Sequence, residues 1–336
     1  MAYVAGDKIL DDHYNEFVNG SSPEGINAIF GTGTGNLGLG QTELPTVAAG
    51  QTILAAKWNS LFTAMDSVAG QSNTSVTSTG AKAAGDTIAV KSALIANMAS
   101  LTTAVQAGCA SATSGVTAGS ADQSLASSAT YDTRHVTEAS YTFAGGDEAR
   151  WFFNAGGSCR VAITNAETAG TSKDDVLNKL NQQMGNFDLK ATTSTVSGTT
   201  DGSSSADSTG GNLALGYYDL TTSYQRIFTI TESTSSYHSS YNDKIFIHIE
   251  AKTNAAHGDG RGNNGTVVTI KVTTEVAHGE TTNYTDGNPD GAQVLAESAG
   301  PTTHVYSTVD PNTTYLNPVY TSITVANESN TTTGGD

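Results

Sequence analysis

Ala149-Arg150-Trp151-Phe152-Phe153-Asn154-Ala155-Gly156-Gly157-Ser158-Cys159-Arg160 is the stretch whose reading decides the fold. Nowhere else do three aromatic residues follow one another, and they run directly into an asparagine and a glycine pair, a strong turn signal. The pattern reads as strand, turn, strand. It would be the most heavily cored hairpin of the chain, with Trp151, Phe152, Phe153, Asn154, Gly156 and Gly157 as its framework. Arg150 and Arg160 flank the apolar run and read as strand-end or subunit-interface charges rather than catalysts.

Downstream of this stretch the aromatic residues are concentrated and strand patterns come with them. Ile245, Ile247 and Ile249 alternate with Phe246, His248 and Glu250, and Val268, Ile270 and Val272 alternate with Thr269, Lys271 and Thr273. A period of two predicts an antiparallel pair joined by the long loop 253–265. Further strands are expected within 141–143, 160–164, 187–196, 224–231, 304–306 and 319–325. One helix is predicted over 173–184, with Val176, Leu177, Leu180 and Met184 on one face and Gly185 as its stop. Pro289, Pro301, Pro311 and Pro318 predict looser, edge-like chain for the last strands.

Upstream lies a repeat. Val4-Ala5-Gly6-Asp7-Lys8-Ile9-Leu10 followed by Tyr14-Asn15 recurs as Ala48-Ala49-Gly50-Gln51-Thr52-Ile53-Leu54 followed by Trp58-Asn59. A weaker third copy, Ala83 to Ala89, is followed by Ala93-Leu94 in place of the aromatic-Asn pair. Each copy reads as a glycine turn, one buried isoleucine and a helix. Ile9, Tyr14, Ile53, Trp58 and Asn59 are its candidate core and assembly positions. In the second copy Ile53, Trp58, Leu61, Phe62, Met65 and Val68 keep the spacing of a helical stripe, and in the third Leu94, Met98 and Leu101 do the same. Such narrow stripes suggest helices that need a partner chain or the capsid to complete a core. Between the first two copies, Gly33, Gly35 and Gly38 satisfy a dinucleotide-binding pattern, but no strand-to-helix context surrounds them. They read as an extended glycine-rich connection.

The resulting fold class is mainly β. A C-terminal antiparallel β-sandwich-like domain with one covering helix (131–326) follows an N-terminal extended arm of short strand-helix repeats (1–107). An Ala/Ser/Gly-rich linker (108–130) joins them, and a flexible tail (327–336) ends the chain.

Composition narrows the function. Charged residues make up 14% of the chain, against ~25% in ordinary globular proteins, and Ser, Thr, Asn, Gly and Ala take their place. Such a surface suits β-rich extracellular or virion proteins. The net charge of −17 rests on 32 acids against 15 Lys plus Arg, with no basic cluster to neutralise phosphates, so no nucleic-acid partner is expected. No apolar run of spanning length predicts membrane insertion, and Met1 to Lys8 lacks the apolar segment of a signal peptide. Cys109 and Cys159 form neither a metal spacing nor a disulfide framework. No catalytic, cofactor-binding or metal motif survives scrutiny. The polar loop His257, Asp259, Arg261 and Asn263 is a candidate cation or glycan site, although alternating glycines also describe a loop tip. The 286–291 segment looks like a calcium loop without its closing acid.

Three segments resemble virion structural proteins of tailed phages, nearest to fibre-type tail proteins of cyanobacterial and other aquatic phages. They are the N-terminal repeat, Ala149 to Gly157, and Tyr218-Asp219-Leu220-Thr221-Thr222-Ser223-Tyr224-Gln225 with Ile227-Phe228. The resemblance implies an N-terminal attachment region, a β-rich module and assembly without catalysis: a homotrimeric fibre or spike component of tail, neck or baseplate, built in the host cytoplasm and resident in the virion. Its partners would be further copies of itself, other virion proteins and a host-surface glycan. A capsid decoration or cement protein, and a carbohydrate-binding receptor module, are the alternative readings.

Overall fold

The computed structural model describes residues 11–77, 80–86, 88, 91–109, 117–118, 122–127, 130–131, 133–166, 172–198, 208–231, 245–255, 265–276, 299–317 and 320–333. Ile9, the His257–Asn263 loop and the 286–291 segment lie outside the described residues.

Four helices fill the first part: α1 (Asp11–Asn19), α2 (Ile26–Phe30), α3 (Ala55–Ser72) and α4 (Lys91–Gln106). The stripe anticipated on α3 is buried, from Trp58 through Leu61, Phe62 and Met65 to Val68, and on α4 Leu94, Met98 and Leu101 follow suit. Tyr14, Phe17 and Phe62 gather round the Trp58 ring, Tyr14 edge-on at 5.5 Å. Ile53 packs half-buried against this cluster. These helices form a core of their own within the one chain. The reason is that the glycine-rich loop contributes Leu37 and Leu39, apolar mass that no single helical stripe contains.

The repeated aromatic-Asn pair has a definite job. Asn15 Nδ2 donates to the Val47 carbonyl while its Oδ1 accepts from the Val47 N–H, and Asn59 makes the same pair of bonds with Lys82. Val47 and Lys82 each stand three residues before the glycine that opens the next copy, Gly50 and Gly85. Each copy therefore clasps the lead-in of the one that follows. The third copy has Leu94 where the asparagine would be, and that residue is buried in the core, so the chain of clasps ends there. Asn27 clasps Leu44 and Asn97 clasps Thr77 in the same two-way fashion. The lead-ins expected as short strands pair with no strand among the described residues, because side-chain amides satisfy their backbone groups instead.

The β-module has two antiparallel sheets. One holds β1 (Thr117–Ala118), β2 (Gln123–Ala126), β4 (Ser158–Asn165), β5 (Phe187–Leu189), β6 (Ser194–Val196) and β11 (Thr302–Asp310), in the order β1-β11-β4-β5-β6 with β2 also on β11. The other runs β12 (Thr324–Thr333), β3 (Arg134–Thr142), β10 (Val267–Glu275), β9 (Phe246–Thr253), β8 (Gln225–Thr231), β7 (Ser208–Gly210). As anticipated, β9 and β10 pair antiparallel, with Ile249 opposite Val272, and Ile245, Ile247, Ile249, Val268, Ile270 and Val272 are fully buried. Each such side chain contributes about 1.5–3 kcal/mol by leaving water. Helix α6 (Ser172–Met184) covers β4 and reaches β8 and β9, and Gly185 ends it at φ +60°.

Three expectations are corrected. Part of the segment read as linker is sheet: β2 pairs with His304 and its neighbours on β11. The tail read as flexible is strand as far as Thr333, paired with β3 over its length, because its threonines suit a pleated edge. Gln123 and Asn330 tie β12 to β2 through the Val325 and Ala126 carbonyls. Finally, β11 is interior rather than edge-like; Pro301 and Pro311 bracket it and leave every ladder N–H in place.

Candidate functional site at the seam between the two cores

The stretch 149–160 is not a hairpin. Gly146–Asn154 is a helix, α5, and β4 starts at Ser158. Asp147 and Glu148 in its first turn favour the positive end of the helix dipole. The glycine pair closes it: Gly157 N–H donates to the Phe152 carbonyl and Gly156 N–H to that of Phe153, with Gly156 at φ +99°. This is the left-handed glycine stop of a helix. Gly157 has a second reason to lack a side chain, since a Cβ there would fall 2.6 Å from the Phe152 ring.

The two faces of α5 meet the two cores. Phe152 and Phe153 are fully buried in the β-module, where Phe153 stacks on Tyr217 at 4.2 Å and Phe143 packs on both. On the other side, Trp151 Nε1 and Arg150 Nη2 both donate to the Thr32 carbonyl at 2.9 Å, and Arg150 also pairs with Asp147 at 2.7 Å. Asn154, wholly buried, donates to the carbonyls of Asn36 and Gly38 and accepts from the Tyr218 hydroxyl at 2.7 Å. Burial pushes the Tyr217 and Tyr218 phenols well above their usual range, so both remain hydroxyl donors.

The glycine-rich loop expected to be extended is instead curled. Gly33, Gly35, Gly38 and Gly40 all have positive φ, and a Cβ on Gly38 would lie 2.2 Å from the Thr32 oxygen. Its carbonyls point at α5. A phosphate cradle presents N–H groups, so this loop has the opposite polarity to a nucleotide site.

The segment between β11 and β12 straps the seam from outside. Leu316 belongs to the helical core, while Tyr320 and Ile323 pack on the β core. Gln41 clasps the Asn317 backbone in both directions, and Gln71 Nε2 donates to the Ala155 carbonyl. The Tyr315 ring lies over Gly70, where a Cβ would come within 2.4 Å of it.

The structure thus brings Trp151 to Gly157 together with the helical unit that contains Tyr14, Trp58 and Asn59. Sequence reasoning missed Asn15, Gln41, Gln71 and Asn317; the twofold recurrence of aromatic-Asn was the signal for the first. Arg160, read as a strand-end charge, is paired with Asp188 through Nε at 2.7 Å.

Reactive groups elsewhere are held quiet. Both cysteines are free and buried; burial raises the Cys109 thiol to about 12 and the Cys159 thiol well above its usual value. Between the sheets, His304 bonds the hydroxyls of Thr137 and Thr274 and stacks on His135 at 4.4 Å. Burial first, and then His135, hold it well below the ordinary histidine range. His248 is lowered to about 4 by burial and by Arg226. None of these three hydrogen-bonds a carboxylate among the described residues. Among the described residues, no group of three His, Cys, Asp or Glu is arranged for a metal ion, and no helix is long and apolar enough to cross a membrane.

No protein-family model matches the chain, and no curated protein or solved structure matches it either.

Proposed function

We propose that the chain is a non-enzymatic structural subunit of a tailed-phage virion. It would serve as a fibre or spike component at tail, neck or baseplate and assemble as a homotrimer. The observation that carries this reading is how the 149–157 segment is used. Its resemblance to virion proteins is the most specific in the chain, and its side chains from Arg150 to Asn154 are committed to joining the two cores. A subunit that transmits load from an attachment region to an outer module needs such a stiff joint. The threonine-rich outer strands and the sparse charge fit a surface meant to lie against neighbouring subunits.

The test is assembly and location. Light scattering of the purified chain should give three times 34.4 kDa, and antibody labelling should mark the tail or neck of intact particles. A stable monomer that is absent from particles would overturn the reading. Labelling spread over the head would favour a decoration protein instead.

A further inference from the structure

A second feature lies where the end of the helical unit meets the β-module. Between the end of α4, the start of β4 and the β5–β6 turn lies a cavity of about 120 Å³, lined among others by Ser158, Arg160, Asp188, Lys190, Thr192 and Thr193. Arg160 and Asp188 form a two-point pair, Nε to Oδ1 at 2.7 Å and Nη2 to Oδ2 at 2.8 Å. That leaves one guanidinium nitrogen, Nη1, uncommitted among the described residues. Lys190 is fixed by its backbone, which donates to Thr193 and accepts from Tyr217, yet its ammonium makes no ion pair with a described residue. Arg160 and Lys190 against Asp188 give the lining residues a net charge of one positive unit in a chain whose total is −17.

The hydroxyls of Ser158, Thr192 and Thr193 add groups that both donate and accept. The space is many times the ~10–15 Å³ that one water needs and below the ~300 Å³ of a drug-sized site. A concave wall with a spare cation and free hydroxyls is suited to an anionic group carried on a small polyhydroxylated body. We propose that this cavity binds a small hydroxylated carboxylate of monosaccharide size, with Lys190 as its counter-ion and the Thr192-Thr193 turn contacting its hydroxyls. The inference does not depend on the virion reading.

Calorimetric titration of the full chain with glucuronate tests it, with glucose as the neutral counterpart and inorganic phosphate as the bare anion. Saturable heat is expected with glucuronate alone. Lys190→Met should weaken binding at least tenfold at an unchanged melting temperature, and Lys190→Gln gives the same reading if methionine disturbs the fold. Thr193→Val should weaken it a few-fold. Absence of saturable glucuronate binding, equal binding of glucose or of phosphate, or an unchanged affinity in both Lys190 variants would overturn the proposal.

Discussion

The helical unit and the β-module reach the same end, a buried core, by different means. In the β-module the backbone satisfies itself through two ladders, and side chains are left free to alternate between core and surface. The helical unit has long unpaired lead-ins, and their backbone groups are met one at a time by Asn15, Asn27, Asn59 and Asn97. Stability in the first is spread over many interchangeable positions. In the second it is concentrated on a few residues that nothing else can replace. The seam combines both: aromatic burial on one face of α5, amide-to-carbonyl bonds on the other.

The largest effect should come where the two means meet. Phe153→Ala removes a fully buried ring stacked on Tyr217, and urea unfolding should show a loss of about 3–5 kcal/mol. A loss under ~1 kcal/mol would mean that the ring is not core. Trp151→Ala, half-buried and bonded through one N–H, should cost less.

Asn59→Leu copies into the second repeat the residue that the third already has. It removes two hydrogen bonds and leaves the Lys82 N–H and carbonyl without their partner; the expected cost is about 1–3 kcal/mol. Thr269→Ala on the outer face of β10 should stay within ~0.5 kcal/mol. Equal costs at the two positions would erase the contrast between the units.

Acid should act on the β-module through His304. Its folded pKa lies below the unfolded value near 6.5, so the unfolded chain binds the proton more readily. The stability it confers is therefore complete above that pH and is lost as pH falls toward the folded pKa, by up to about 1.4 kcal/mol per unit for each such histidine. His135, lowered by burial and bonded to Asn330 of β12, acts in the same direction. Urea midpoints should be nearly level between pH 7.5 and 6.5 and fall from 6.5 to 5.5, and His304→Gln should flatten that fall. A midpoint independent of pH across this range would contradict the burial of the pair. A similarly small effect is expected at the Arg226–Glu250 pair, 3.4 Å apart with the arginine exposed, where Arg226→Ala should change stability by less than ~1 kcal/mol.

How much of this was legible in the sequence follows the same division. Period-two alternation at 245–250 and 268–273 identified buried strands, because in a sandwich the period itself is the burial pattern. The helical stripe on α3 was equally plain. The stretch 149–160 was misread because aromatic-aromatic-aromatic-Asn-Ala-Gly-Gly serves a hairpin and a helix stop alike. The two acids at its start, Asp147 and Glu148, were the sign of a helix. The seam itself was illegible: a contact between Asn154 and the Gly38 carbonyl depends on how two separate cores come together, and no local pattern encodes it.

The central claim is that the seam makes the two cores one cooperative body. Differential scanning calorimetry of the full chain and of Asn154→Ala, which loses the bonds to Asn36, Gly38 and Tyr218 at once, tests it directly. The account predicts one two-state transition for the natural chain and two separated transitions for the variant, the first at lower temperature. Two transitions in the natural chain, or a single transition at unchanged temperature in the variant, would contradict it.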